Sequence, residues 1–176
     1  MLSQKKNQKT PLKMAQITKQ AFISMVEDLN GIIRDINYDN CYDKVIEFFN
    51  LAGNLEDHFH DIYELQLKGR RILGIKSRSR MQAEHDRFQF HLNISLARGR
   101  EVGNLSKSGE LASKDNVRFD IGGNRPYTLT ELESMETTLT QGRFYPEIVP
   151  AQPISRQKIV DFVKMWRKSF TTDWLR

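Results

Sequence analysis

The sequence is poor in cysteine, since its 176 residues include only Cys41. A single cysteine excludes an internal disulfide and a zinc site built from several thiolates. Apolar runs are also short, and none approaches the roughly 18 residues needed to cross a bilayer. The lysines near the N-terminus are not followed by the apolar segment of a secretory signal. We therefore expect a cytoplasmic protein with no membrane association.

The common motifs of nucleotide-binding and hydrolytic enzymes are missing as well. The segment DIGGNRP (120–126) does not end in the Gly-Lys-Ser/Thr of a phosphate-binding loop, and no Gly-x-Ser-x-Gly elbow occurs. In EDHFHD (56–61), His58 and His60 point about 200° apart on a helix, whereas helical metal ligands are typically found at i and i+4. We therefore expect neither a metal nor another cofactor.

The sequence does contain enough apolar residues for a core, and its charge is strongly segmented. Hydrophobic residues make up 39% of the chain, and ten of them are phenylalanines. The net charge of +5 divides into +5 for residues 1–20, −8 for 21–67, +7 for 68–100, −3 for 101–152 and +4 for 153–176. Such blocks indicate either acidic and basic elements that neutralise each other by packing together, or a basic surface that attracts a polyanion.

Apolar spacing predicts an all-α bundle of about five helices with one long irregular loop at 101–127. We expect a disordered basic arm over residues 1–15 and a single domain over 16–176. The helices are predicted from Thr18 to the turn NYDN (37–40), from about Tyr42 to Lys68, from about Arg78 to Arg100, from Thr128 to Gly142, and from Ser155 onward.

Turn and capping residues set the boundaries of the later elements. Thr128 and Glu131 have the spacing of a capping box, and the stretch before them permits a short hairpin near 117–127. The prolines of PEIVPAQP (146–153) predict an extended connector, because proline is unsuited to a helix interior. The last helix is expected to direct five apolar side chains inward: Ile159, Phe162, Val163, Trp166 and Phe170.

The segment SRSRMQAEHDRFQFHLNISLARGRE (77–101) combines five arginines and two histidines with helical apolar spacing. On a helix, four cationic or titratable residues fall within about 20° of one line: Arg80, Arg87, His91 and Arg98. Apolar residues flank this stripe on both sides, with Met81, Phe88, Leu92 and the marginal His85 on one, and Phe90, Ile94 and Ala97 on the other. A cationic stripe in that setting suggests a groove, an acidic internal partner or a subunit interface.

The order of NISLARGRE (93–101), a polar loop and YTLTELESM (127–135) resembles that of HEPN-type helical bundles (higher eukaryotes and prokaryotes nucleotide-binding domains). Arg80 and His85 also have the Arg-x4-His spacing of active members. The resemblance implies a dimeric all-α protein and, in active members, a metal-independent ribonuclease of toxin–antitoxin or phage-defence type. In these enzymes the arginine stabilises phosphate charge, and the histidine assists cleavage by the RNA's own 2′-hydroxyl.

One departure from that pattern favours binding over cleavage. Arg98 stands before Gly99, where the pattern carries histidine. We therefore expect a non-catalytic, homodimeric module that contacts RNA or a cognate protein partner through Arg80, Arg87, His91 and Arg98. Two alternatives remain open. One is an active ribonuclease with Arg80 and His85 as catalytic residues. The other is a purely protein-binding regulator whose stripe is neutralised by the acidic segment 21–67.

Overall fold

The computed structural model describes residues 17–70, 75–103, 112–121, 125–140 and 151–175, with the backbone alone at 69–70, 75–79, 97–103, 138–140 and 151–154. The described residues form the helices α1 (Lys19–Asp35), α2 (Cys41–Arg70), α3 (Ile75–Gly103), α4 (Leu129–Thr140) and α5 (Ala151–Lys164), and a 3₁₀ helix over Asp173–Leu175. The predicted all-α bundle is confirmed. The predicted basic arm, residues 1–15, lies outside the described residues.

Polar side chains determine where α1 begins and how the chain turns after it. The Thr18 hydroxyl accepts a hydrogen bond from the Ala21 N–H at 2.9 Å, which satisfies one of the unpaired amides of the first turn. After the helix, Asn37 Oδ1 accepts from the N–H groups of Asp39 and Asn40, as the NYDN turn requires. The turn returns the chain so that α2 packs along α1.

The central element is α2, which packs against α1, α3 and α5. Its apolar residues recur at helical spacing and form a stripe that lies in the core. The buried members of this stripe are Val45, Phe48, Phe49, Ala52, Leu55, Phe59 and Ile62.

The predicted short hairpin is present as two strands, β1 (Arg118–Phe119) and β2 (Tyr127–Thr128). They pair antiparallel, with Arg118 opposite Thr128 and Phe119 opposite Tyr127. The hairpin leads directly into α4, which keeps the N-terminus of that helix close to the bundle.

The predicted capping box at the start of α4 is confirmed. The Thr128 hydroxyl accepts from the Glu131 N–H at 3.0 Å, and Glu131 Oε1 accepts from the Thr128 N–H at 2.8 Å. The side chain of Arg125 also donates to the Glu131 carboxylate. The Arg125 hydrogen bond, reinforced by that of the Thr128 N–H, lowers the pKa of Glu131 to about 2.

The extended connector predicted over 146–153 was wrong at its C-terminal end. Helix α5 begins at Ala151 and contains Pro153. Proline is tolerated there because the amide N–H groups of the first turn have no partner within the helix. The rule against proline in a helix interior therefore did not apply to this position.

Helix α5 also ends earlier than the apolar spacing implied, at Lys164. Tighter turns follow, in which the Trp166 N–H bonds to the Val163 carbonyl at 3.2 Å. Lys168 adopts a φ of 75° in this stretch. Trp166 and Phe170 are nevertheless buried, so the prediction that they point inward is confirmed although neither lies in the helix.

Trp174 brings the end of the chain into the core. Its side chain is fully buried, and its carbonyl accepts a hydrogen bond from Gln66 Nε2 at 3.2 Å. Aromatic rings from three helices surround it at centroid distances of 5.4 to 6.3 Å: Phe22, Phe59, Tyr63, His85 and Phe88. We call these six residues the Trp174 cluster.

A partly buried ion pair joins α4 to α5, and its arginine also contacts the turn between α1 and α2. The Arg156 guanidinium donates two hydrogen bonds of 2.5 Å to the Glu136 carboxylate and one to the Tyr38 carbonyl. It also lies 4.5 Å from the ring centroid of Tyr42. Cys41 beside it is buried, which raises the pKa of its thiol. Since each charge is paired and the thiol is covered, we assign this group a structural role.

Candidate binding surface on the third helix

Helix α3 has two faces with opposite environments. Its inner face packs against α2 and the 3₁₀ helix, and its buried residues are Met81, His85, Phe88, Leu92, Ser95 and Leu96. On the opposite side, Arg80, Arg87, Phe90 and Ile94 are exposed. We call these four residues the outer surface. Of the two apolar sides predicted beside the cations, the one that contains Phe88 is therefore buried, whereas Phe90 and Ile94 of the other side are exposed.

His85 lies on the inner face, within the Trp174 cluster, and only 6% of it is exposed. Its ring stacks on Tyr63 at a centroid distance of 3.5 Å and on Phe59 at 4.7 Å. Trp174 meets it edge-on at 5.5 Å. The imidazole thus acts as one more flat ring that fills the space between α2, α3 and the end of the chain.

A short polar network holds the Nδ1 edge of this imidazole. His85 Nδ1 lies 3.0 Å from Asp86 Oδ1, which also accepts from Gln82 Nε2 at 2.8 Å. Gln82 Oε1 in turn accepts from the Tyr63 hydroxyl. Burial lowers the pKa of His85, and the hydrogen bond to Asp86 only partly opposes this effect. A neutral ring that donates from Nδ1 fits these contacts.

The predicted catalytic pair, Arg80 and His85, is divided between the two faces. Five positions along a helix place their side chains about 140° apart. Arg80 is exposed, whereas the Trp174 cluster surrounds His85. A general acid or base must come within hydrogen-bonding reach of the substrate. The structure does not bring this pair together, and its catalytic assignment stays a prediction.

The outer surface combines positive charge with exposed apolar area. Phe90 is 61% exposed and Ile94 is 36% exposed. The helical rise separates Arg80 from Arg87 by about 10 Å and Arg87 from Phe90 by about 5 Å. Single exposed hydrophobic residues are common on soluble proteins, but two on one stretch of helix beside two arginines form a surface suited to a ligand.

Arg80 and Arg87 form no ion pair with any residue that the structure describes. In the part of the chain that the structure describes, no carboxylate oxygen lies within 4.0 Å of a guanidinium nitrogen of Arg80 or Arg87. The alternative in which the acidic segment 21–67 pairs with the stripe predicted such contacts. Among the described residues, four acidic side chains of that segment (Asp35, Asp43, Glu47 and Glu64) instead lie within 4.0 Å of Arg34, Lys114, Lys44 and His60.

His91 lies at the edge of the outer surface and is half-buried. Its ring is 5.8 Å from that of Phe90 and 5.9 Å from that of Trp166. His91 Nδ1 and Trp166 Nε1 are both buried, and neither has a hydrogen-bond partner among the described residues. Next to Trp166, Met165 is 56% exposed. His91 therefore connects the outer surface to the turn that follows α5.

The fourth predicted contact residue is Arg98. Its backbone belongs to α3, but its side chain is not among those that the structure describes.

Two features of the site were not predicted from the sequence. Phe90 was treated only as a flank of the cationic stripe, although its exposure makes it part of the surface. Trp166 was assigned to the core without its contact to His91. The exposure of Phe90 and the contact between Trp166 and His91 both depend on which elements pack against α3. The spacing of residues along one helix does not predict this.

Comparison with protein-family models, with curated proteins and with solved structures found no match.

Within the described ranges, no helix is both long and apolar enough to cross a membrane. The same residues contain no group of three or more histidine, cysteine or acidic side chains arranged to hold a metal ion.

Proposed function

We propose that this protein is a non-catalytic binding module that contacts RNA through the outer surface of α3. The observation that carries the proposal is the exposure of Arg80 and Arg87 without a carboxylate partner in the described part of the chain. Unpaired arginines attract phosphate groups and release condensed counterions when they bind them. The exposed Phe90 beside them adds a contact that a nucleobase can use.

The position of His85 supports binding over cleavage. A ring that is 6% exposed and packed against Tyr63, Phe59 and Trp174 offers little access to a ribose hydroxyl. In this proposal the protein is a degenerate relative of the HEPN-type bundles, and a homodimer remains part of that expectation. Arg98 and His91 would extend the contact along α3.

The test is the salt dependence of RNA affinity. For single-stranded RNA, the logarithm of the association constant should fall with the logarithm of salt concentration by about 0.7 per phosphate contact. The double variant Arg80→Gln/Arg87→Gln should therefore bind more weakly and with a slope shallower by about 1.4. Arg34→Gln on α1 is the matched control, since it removes an arginine whose side chain is 73% exposed on another helix.

Three outcomes would contradict the proposal. If the protein retains the same amount of RNA at low and at moderate salt, phosphate contacts are not the basis of binding. No RNA binding at low salt, with a protein partner lost on mutation of the same arginines, would favour the protein-binding alternative. Cleavage of single-stranded RNA without added metal, abolished by His85→Ala, would favour the ribonuclease.

A further inference from the structure

Phe90 is the least expected residue of the outer surface. A phenylalanine that is 61% exposed leaves most of its ring in water, although Phe88, two residues earlier, is 1% exposed. Burying such a ring in a complex is favourable.

We infer that Phe90 is a stacking platform for an unpaired nucleobase, and that the outer surface selects single-stranded over duplex RNA. The inference rests on the proposed function. Arg87 precedes Phe90 by three residues, so the two side chains lie about 5 Å apart along the helix and about 60° apart around it. A phosphate held by Arg87 therefore places a neighbouring nucleotide within reach of the Phe90 ring.

The ring of Phe90 has an aromatic neighbour. His91 lies 5.8 Å from it at an interplanar angle of 58°, and Trp166, which is 5% exposed, lies 5.9 Å from His91. This row of three rings connects the surface to the core. A side chain that already contacts a neighbouring ring loses less conformational freedom on binding than a free side chain does.

The chemistry of Phe90 distinguishes between the two forms of RNA. In an A-form duplex the bases are stacked on one another, and the accessible minor groove offers hydroxyl groups and base edges that need polar partners. A phenyl ring has no hydrogen-bonding group with which to contact them. In a single strand each base has a face free to stack on an aromatic side chain, whatever its identity. Phe90 thus adds affinity only where a base is unpaired, whereas Arg80 and Arg87 bind phosphates of both forms.

The experiment compares a single-stranded oligouridylate with a blunt RNA duplex that carries the same number of phosphates, at one fixed low salt concentration. The wild-type protein should bind the single strand more tightly. Phe90→Ala should lower the affinity for the single strand by about 5- to 150-fold and leave the affinity for the duplex unchanged. Phe90→Tyr should retain the affinity because it retains the ring.

The matched control is Leu65→Ala, which shortens another exposed apolar side chain, 49% exposed, on α2. It should bind both RNAs as the wild type does. The inference would be overturned if the two RNAs bound with equal affinity. It would also be overturned if a folded Phe90→Ala variant bound the single strand as the wild type does. In either case the salt-dependent contact of Arg80 and Arg87 would stand. Failure of the wild-type protein to bind either RNA would overturn the proposed function and the inference together.

Discussion

Phe88 and Phe90 are the same residue type, two positions apart on one helix, yet Phe88 is 1% exposed and Phe90 is 61% exposed. Phe88 packs against Phe22, Phe59, Phe170 and Trp174. Phe90 has the ring of His91 beside it and is mostly exposed. The inner face of α3 therefore contributes to stability, and the outer surface is available for a partner.

The titratable and charged groups of α3 divide in the same way. His85 on the inner face has Asp86 as its hydrogen-bond partner and a pKa lowered by burial. Arg80 and Arg87 on the outer surface have no carboxylate partner among the residues described. A residue's environment on this helix follows from its phase rather than from its chemical type, so the Arg-x4-His spacing does not place its two residues in one environment.

The largest expected effect comes from truncating the inner ring. Phe88→Ala should lower the free energy of unfolding by about 3–5 kcal/mol, because it removes a buried ring and leaves a cavity in the Trp174 cluster. Phe90→Ala should change the same quantity by no more than about 0.5 kcal/mol. Denaturant unfolding followed by circular dichroism measures both. Equal losses in the two variants would show that the two faces do not differ as described.

A smaller effect is expected from pH, and it should come from His85 on the inner face. The folded state holds the pKa of His85 below its ordinary value of 6.5, so the unfolded chain takes up the proton first as the pH falls. The contribution of neutral His85 to the free energy of unfolding is complete above pH 6.5 and is lost as the pH falls below that value. Unfolding measured between pH 7.5 and about pH 5 should show this loss.

The controls for the pH prediction are two further variants. His85→Phe keeps a flat ring but cannot be protonated, so its stability should not fall over that range. His60→Gln removes a histidine whose side chain is 81% exposed, and the loss should persist. Glu131, whose pKa of about 2 is also depressed, stabilises the fold above its ordinary pKa of 4.5 and is titrated only below the range tested. A wild-type stability that is flat from pH 7.5 to about 5 would contradict this account of His85.

Features of this fold that arise from nearby residues were predictable from the sequence. The cap at Thr18, the Asn37 turn and the Thr128–Glu131 capping box each depend on side chains within four residues of the backbone they bind. The stripe on α2 was predictable because burial repeats with the helical period. The error at Pro153 was also local, because it came from treating a first-turn position as a helix interior.

Features that depend on distant neighbours were not predictable. Nothing periodic marks Trp174, yet it is fully buried because Gln66 and five rings from other elements surround it. The spacing on α3 correctly gave two apolar sides, but could not indicate which one α2 and the end of the chain would cover. Consequently the sequence placed His85 and Phe90 on different sides without showing that the first would be buried and the second exposed.

The most direct test of the account is to map which arginines an RNA protects. The intact protein would be treated with an arginine-modifying dicarbonyl reagent, with and without single-stranded RNA, and the modified positions identified by mass spectrometry. We predict that RNA protects Arg80 and Arg87 while Arg34, on α1, reacts equally in both samples. Protection of Arg34 with Arg80 and Arg87 fully reactive would contradict the assignment of binding to the outer surface of α3.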